Sequence, residues 1–151
     1  MPENEKLIEE LNDLILINKD RIEKYKKILK DSNASEDIFL LKKMIDQSIH
    51  FNKELISEIK NKNHNQNWES VTKPGKIYKM WEDLILSIPD NKGWDILEKV
   101  ENSFQKIYQK ALSPEVYVPS DTIHLLIIQK AKLKELYQVL KSKQPLKLML
   151  A

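Results

Sequence analysis

Apolar residues that recur at alternating three- and four-residue steps restrict the start of this chain to one long amphipathic helix. The stripe passes through a row of seven positions from about Glu3 to Lys30: Ile8, Leu11, Ile15, Asn18, Ile22, Tyr25 and Leu29. The chain has only two glycines and no cysteine, which argues against a strand-and-turn protein and excludes a disulfide scaffold. The sequence therefore predicts an all-α fold.

Similar patterns predict the other helices and the segments between them. A second helix begins near Ser35 and runs to about Lys60, and further bundle helices cover about Trp94–Leu112 and Ser120–Lys143. Residues 61–75 are predicted to form a loop, residues 76–88 a short crossover helix that ends before Pro89, and residues 144–151 an apolar tail. We expect one domain over residues 1–151, a four-helix bundle with one extra short helix.

Each long helix carries a polar residue inside its apolar stripe. These residues are Asn18, Gln47, Glu101 and Gln129, and His50 lies one turn beyond Gln47. Because aligned bundle helices bring their stripes together, we expect these five side chains to meet in the core. Such a cluster is either a metal site or a hydrogen-bonded network without metal.

The spacing of these residues resembles the ferritin-like superfamily, whose bundles hold two irons with Glu and Glu-x-x-His motifs. Asn18 precedes Tyr25 by seven residues, and Glu101 precedes Tyr108 by the same interval. Gln47-Ser-Ile-His50 and Gln129-Lys-Ala-Lys132 stand where the two Glu-x-x-His motifs would be. Only His50 and Glu101 keep a ligand of the expected type, so the resemblance implies a degenerate di-iron site.

More closely, the chain resembles an uncharacterised bacterial family of rubrerythrin-related four-helix-bundle proteins of about this length. The similarity rests on the stretch from Leu11 to Tyr25, on Gln47 and Phe51, and on the helix around Trp81. It implies a ferritin-like fold, a stress-related setting and a homodimer formed through helices one and two. It implies no settled biochemical activity.

Two interpretations of the polar cluster follow from the residues. In the first, the amides satisfy one another and fix helix register, and Glu101 pairs with Lys132, His50, Tyr25 or Gln47. In the second, His50 and Glu101 bind iron or manganese with Asp20, Glu98 or Gln47 and support oxidation or metal storage. We favour the first, with no catalytic residue, no cofactor-binding residue and no bound metal.

Charge and motifs narrow the function further. The net charge is only +2, and acidic and basic residues alternate along the helices, so we expect no nucleic-acid partner. No apolar run approaches a membrane span, and we expect a cytoplasmic protein that does not enter the membrane. Phosphate-binding loops and nucleophile motifs are absent from the sequence, which favours a non-enzymatic role. The apolar tail, Leu146 to Leu150, is expected to pack on the bundle or on a partner.

Overall fold

A computed structural model describes residues 2–31, 35–62, 74–88, 94–113 and 118–150 of this chain. Its described elements are five helices: α1 (Pro2–Asp31), α2 (Ser35–Lys62), α3 (Lys76–Leu86), α4 (Trp94–Ala111) and α5 (Ser120–Leu150). The expectation of an all-α fold is confirmed for these described residues. The starts of α2, α3, α4 and α5 also agree with the boundaries predicted from capping residues and periodicity.

The helices pack as a ring around a single apolar core. Helix α1 packs on α2 and α3, α5 packs on α2 and α4, and α3 packs on α4, so the order around the ring is α1, α2, α5, α4, α3. The core is filled by fully buried side chains from the four long helices, including Leu14, Ile17, Met44, Phe51, Leu55, Phe104, Ile107 and Leu140. Helices α2 and α5 are antiparallel, because Gln47 bonds to Lys132 whereas Lys62 bonds to Asp121.

Helix α3 begins where α1 supplies its cap. The carboxylate of Asp13 accepts hydrogen bonds from the backbone nitrogens of Gly75, at 2.8 Å, and Tyr78, at 3.2 Å. These bonds satisfy two of the orphan donors of the helix start. A Cβ on Gly75 would lie 2.7 Å from Asp13 Oδ2 and closer still to Glu9 Oε1. A larger residue here would have to displace these carboxylate ends, including that of Asp13, which bonds to the start of α3; the backbone angle φ of −93° does not itself require glycine.

Helix α5 is longer than the sequence predicted. Helix α5 continues through Pro145 to Leu150, so its predicted end near Lys143 was wrong. A proline removes one backbone hydrogen bond but does not by itself end a helix whose neighbouring turns persist. Most of the predicted loop, residues 63–73, lies outside the described residues. The same is true of the side chains of the tail, residues 144–151. Within the described ranges, no helix is both long enough and apolar enough to cross a membrane.

Candidate functional site

A buried ion pair joins α1 to α4 across the middle of the ring. Arg21 Nε lies 2.9 Å from Glu101 Oε2, and Arg21 Nη2 lies 2.7 Å from Glu101 Oε1. Arg21 is 0% exposed and Glu101 is 1% exposed, so water does not screen this pair. Two parallel N–H···O bonds of this kind use both carboxylate oxygens and fix the relative orientation of the two groups.

The third nitrogen of the guanidinium, Nη1, donates hydrogen bonds to acceptors on α2. Arg21 Nη1 donates to Ser48 Oγ at 2.9 Å, to Gln47 Oε1 at 3.1 Å and to the Met44 carbonyl at 3.3 Å. The Phe104 ring lies below it, with its centroid 4.8 Å from Arg21 Cζ. Arg21 therefore ties three helices together with directional bonds.

Tyr25 completes the centre from the next turn of α1. Its hydroxyl donates to Glu101 Oε2 at 2.5 Å. Burial, and then the negative charge of Glu101, raise the pKa of Tyr25 well above its usual value, so the phenol stays a proton donor. Burial alone lowers the pKa of Arg21, but the negative charge of Glu101 outweighs that effect and the pKa ends above its usual value. The centre is therefore an ion pair with a neutral phenol at neutral pH.

A second buried network lies one turn away along the same helices. Asn18 Nδ2 donates to the Leu14 carbonyl at 2.9 Å and to the Tyr108 hydroxyl at 3.4 Å. The Tyr108 hydroxyl donates in turn to Gln129 Oε1 at 2.5 Å. Gln129 Nε2 then donates to the Phe51 carbonyl at 3.3 Å and to Glu54 Oε1 at 3.2 Å. Burial raises the pKa of Tyr108 above its usual value, which keeps this hydroxyl protonated.

Acceptors at both ends of this second network determine which group donates and which accepts in each of its hydrogen bonds. The Leu14 carbonyl requires the amide nitrogen of Asn18 on one side, and Phe51 and Glu54 require the amide nitrogen of Gln129 on the other. The Tyr108 hydroxyl must then accept from Asn18 and donate to Gln129. The network links α1, α4, α5 and α2 and specifies their register.

The structure brings together four of the five residues that the sequence singled out, in two adjacent groups. Glu101 and Gln47 meet at Arg21, whereas Asn18 and Gln129 meet at Tyr108. Gln47 lies at the edge of the core and also donates to the Lys132 carbonyl at 3.0 Å.

The inward placement of His50 was wrong. Its side chain is 62% exposed and lies 3.8 Å from Glu54 on the helix surface, since its position on α2 is rotated away from the face that carries Phe51. The Lys132 side chain is also exposed, so among the expected partners of Glu101 only Tyr25 bonds to it. Asp20 instead accepts hydrogen bonds from Tyr78 and Trp81.

The central residue that sequence reasoning missed is Arg21. A signal for it exists, because Arg21 is the single arginine among 25 basic residues. Lysine serves on the solvated faces of these helices, whereas a buried carboxylate that must be held bidentately favours the planar fork of arginine. Arg21 also lies between Asn18 and Tyr25, three and four residues away, on the same side of α1.

The donor set at this centre does not fit a pair of irons. Both oxygens of Glu101 already bond to Arg21, and a fixed positive charge at this position repels a divalent cation. The other groups that bond to Arg21 or Glu101 are an amide, two hydroxyls and a backbone carbonyl, whereas iron sites of this type rely on carboxylates. Among the described residues, no group of three or more His, Asp or Glu side chains is arranged to hold a metal ion.

Comparisons with known proteins give no further identification: no family profile, no curated protein and no solved structure matches this chain.

Proposed function

We propose that this chain is a ferritin-like helical bundle whose central carboxylate is held by an internal arginine, and that it serves as a structural or interaction module without catalysis. The observation that carries the proposal is the bidentate Arg21–Glu101 pair at the centre of the ring. A guanidinium with five donors supplies there the positive charge that a metal supplies in a carboxylate site. The centre then stabilises the helix arrangement, and both oxygens of Glu101 are engaged by Arg21 instead of being available to bind a metal ion.

Exposed apolar side chains support the interaction part of the proposal. Phe39 on α2 is 60% exposed, and Ile127 and Val139 on α5 are 49% and 40% exposed. Aromatic side chains such as Phe39 are enriched at protein interfaces relative to the rest of the protein surface. The family resemblance adds three further elements to the proposal, namely a homodimer through α1 and α2, a stress-related role and a cytoplasmic location.

A metal-loading experiment tests the central claim. The purified protein is titrated anaerobically with Fe²⁺ and separately with Mn²⁺, desalted and analysed for metal, and oxygen consumption is then followed. We expect well below one metal per chain and no oxygen consumption above the buffer rate. The exposed-residue variant His50→Ala should behave identically. Stoichiometric metal that is lost in His50→Ala or Glu101→Gln would overturn the proposal and support the metal-dependent alternative.

The homodimer is tested by sedimentation velocity over a wide concentration range. Ile49 on α2 and Ile127 on α5 are matched exposed isoleucines, at 40% and 49%. If α1 and α2 form the interface, Ile49→Asp should abolish association and Ile127→Asp should not. A strict monomer at about millimolar concentration, well above the Kd of a standard interface, removes the dimer from the proposal.

A further inference from the structure

A cavity of about 370 Å³ opens between α1 and α3. Its lining combines acidic, aromatic and aliphatic side chains: Asp20, Glu23, Lys24, Tyr78, Trp81, Glu82, Ile85 and Leu86. Three carboxylates against one ammonium give the lining a formal charge of −2. The volume lies at the small end of the range of ligand-binding cavities.

Asp20 is held in place at this cavity by two ring donors. The Tyr78 hydroxyl donates to Asp20 Oδ2 at 2.8 Å, and Trp81 Nε1 donates to the same oxygen at 3.2 Å. Trp81 is 1% exposed, so the indole is a rigid support for this carboxylate. Burial and Asp20 raise the pKa of Tyr78 to about 12, which keeps its hydroxyl a donor at neutral pH. Both rings donate to Asp20 Oδ2, and neither of these two bonds uses Asp20 Oδ1.

The last turn of α3 adds an aliphatic part to the lining of the cavity. Ile85 is half-buried, and Leu86, the last residue of α3, is 82% exposed. A ligand that complements both parts of the lining therefore needs a cationic end for Asp20 and an alkyl segment for Ile85 and Leu86. Glu23 and Glu82 lie on the solvated rim, where they attract a cation without a large desolvation cost.

We propose that this cavity binds an alkylammonium group, the chemistry shared by free linear diamines and by the lysine side chains of a protein partner. The ammonium bonds to the fixed carboxylate of Asp20, and the alkyl chain lies along Ile85 and Leu86. This inference is independent of the proposed function, since no residue of the Arg21–Glu101 centre lines the cavity.

The indole N–H of Trp81 reports directly on this site, because it bonds to Asp20. The full chain is labelled with ¹⁵N, and the Trp81 Nε1 resonance is followed during titration with butane-1,4-diamine or with lysine blocked at both backbone ends. Butan-1-ol and sodium chloride at equal ionic strength are the controls. We expect a saturable shift with both amines and a Kd of roughly millimolar, typical of a small ligand with one main polar contact.

The relative affinity of the two amines identifies the source: tighter binding of the diamine indicates a free polyamine, and tighter or equal binding of the blocked lysine indicates a protein partner. An absent shift, or an equal shift with butan-1-ol, overturns the proposal.

Charge-removing variants complete the test. Glu23→Gln and Glu82→Gln, both on the exposed rim, should each weaken amine binding about two- to five-fold. Asp20→Asn keeps an acceptor for both rings but removes the charge, and it should weaken binding about ten-fold or more. Glu135→Gln, an exposed change on α5, is the matched control and should have no effect. Wild-type affinity in the Asp20 variant would contradict the proposed contact.

Discussion

Replacing the two partners of the central ion pair, singly and together, tests whether this pair organises the core. Glu101→Leu leaves the Arg21 guanidinium buried with only the neutral acceptors of α2, from Met44, Gln47 and Ser48. Arg21→Met leaves the Glu101 carboxylate buried with only the Tyr25 hydroxyl. Each single change therefore leaves one buried charge without an oppositely charged partner.

The expected losses follow from the depth of the pair. Breaking a buried ion pair by removing one partner lowers the free energy of unfolding by about 3–5 kcal/mol. Two independent losses would sum to about 6–10 kcal/mol, comparable with the total stability of many domains. In the double variant no buried charge lacks a partner. Only the Tyr25 hydroxyl and the acceptors of α2 lose a hydrogen bond, so we expect the free energy of unfolding to fall by about 1–3 kcal/mol. The coupling between Arg21 and Glu101 should then be at least about 3 kcal/mol.

Urea denaturation followed by circular dichroism at 222 nm measures all four proteins of this cycle. Asp121→Asn is a matched control, because it weakens the 2.7 Å contact with Lys62 at the surface, where Asp121 is 63% exposed. Its midpoint should change far less than the midpoints of the two single variants. The reasoning fails if the losses of the two single variants add in the double variant, or if either single variant loses less than about 1 kcal/mol.

Three further outcomes are expected. Tyr108→Phe leaves Gln129 Oε1 without its donor and should cost about 1–3 kcal/mol in urea denaturation, whereas Phe at the half-buried Tyr137 should cost little. The pKa values of Tyr25 and Tyr108 are raised by burial, so their contribution to stability is complete below about pH 10 and is lost above it, by about 1.4 kcal/mol per pH unit for each phenol. Phenolate absorbance at 295 nm should therefore lag behind that of the unfolded chain, and coincident curves would refute this. Gly75→Ala should cost about 1–3 kcal/mol by crowding the α1 carboxylates, and an unchanged Tm would refute it.

The helices were predictable because their signals are local. Apolar spacing and capping residues such as Ser35 and Ser120 locate the starts of α2 and α5 without knowledge of the packing. The burial of Asn18, Glu101 and Gln129 was predictable for the same reason, since each occupies a position in the apolar stripe of its helix that faces the core. A ferritin-like arrangement of the helices stays a prediction.

The partners inside the core were harder to predict, because pairing across helices depends on rotations that periodicity does not fix. Gln47 and His50 differ by three positions, yet one reaches Arg21 and the other faces solvent. A rotation of α2 by part of a turn exchanges these two outcomes. Arg21 was overlooked because a charged residue next to an apolar stripe normally lies on the solvated flank of its helix.

The two parallel hydrogen bonds of the Arg21 guanidinium also limit which substitutions this sequence can accept during evolution. A lysine at position 21 provides a single ammonium in place of two parallel N–H groups, so even this mild exchange cannot reproduce the two contacts with Glu101. A change that removes either charge leaves the other one buried without its partner, so selection should accept paired replacements more readily than single ones. Orthologues that lack Arg21 are thus expected to lack Glu101 as well, and to carry two apolar residues of similar combined volume in their place.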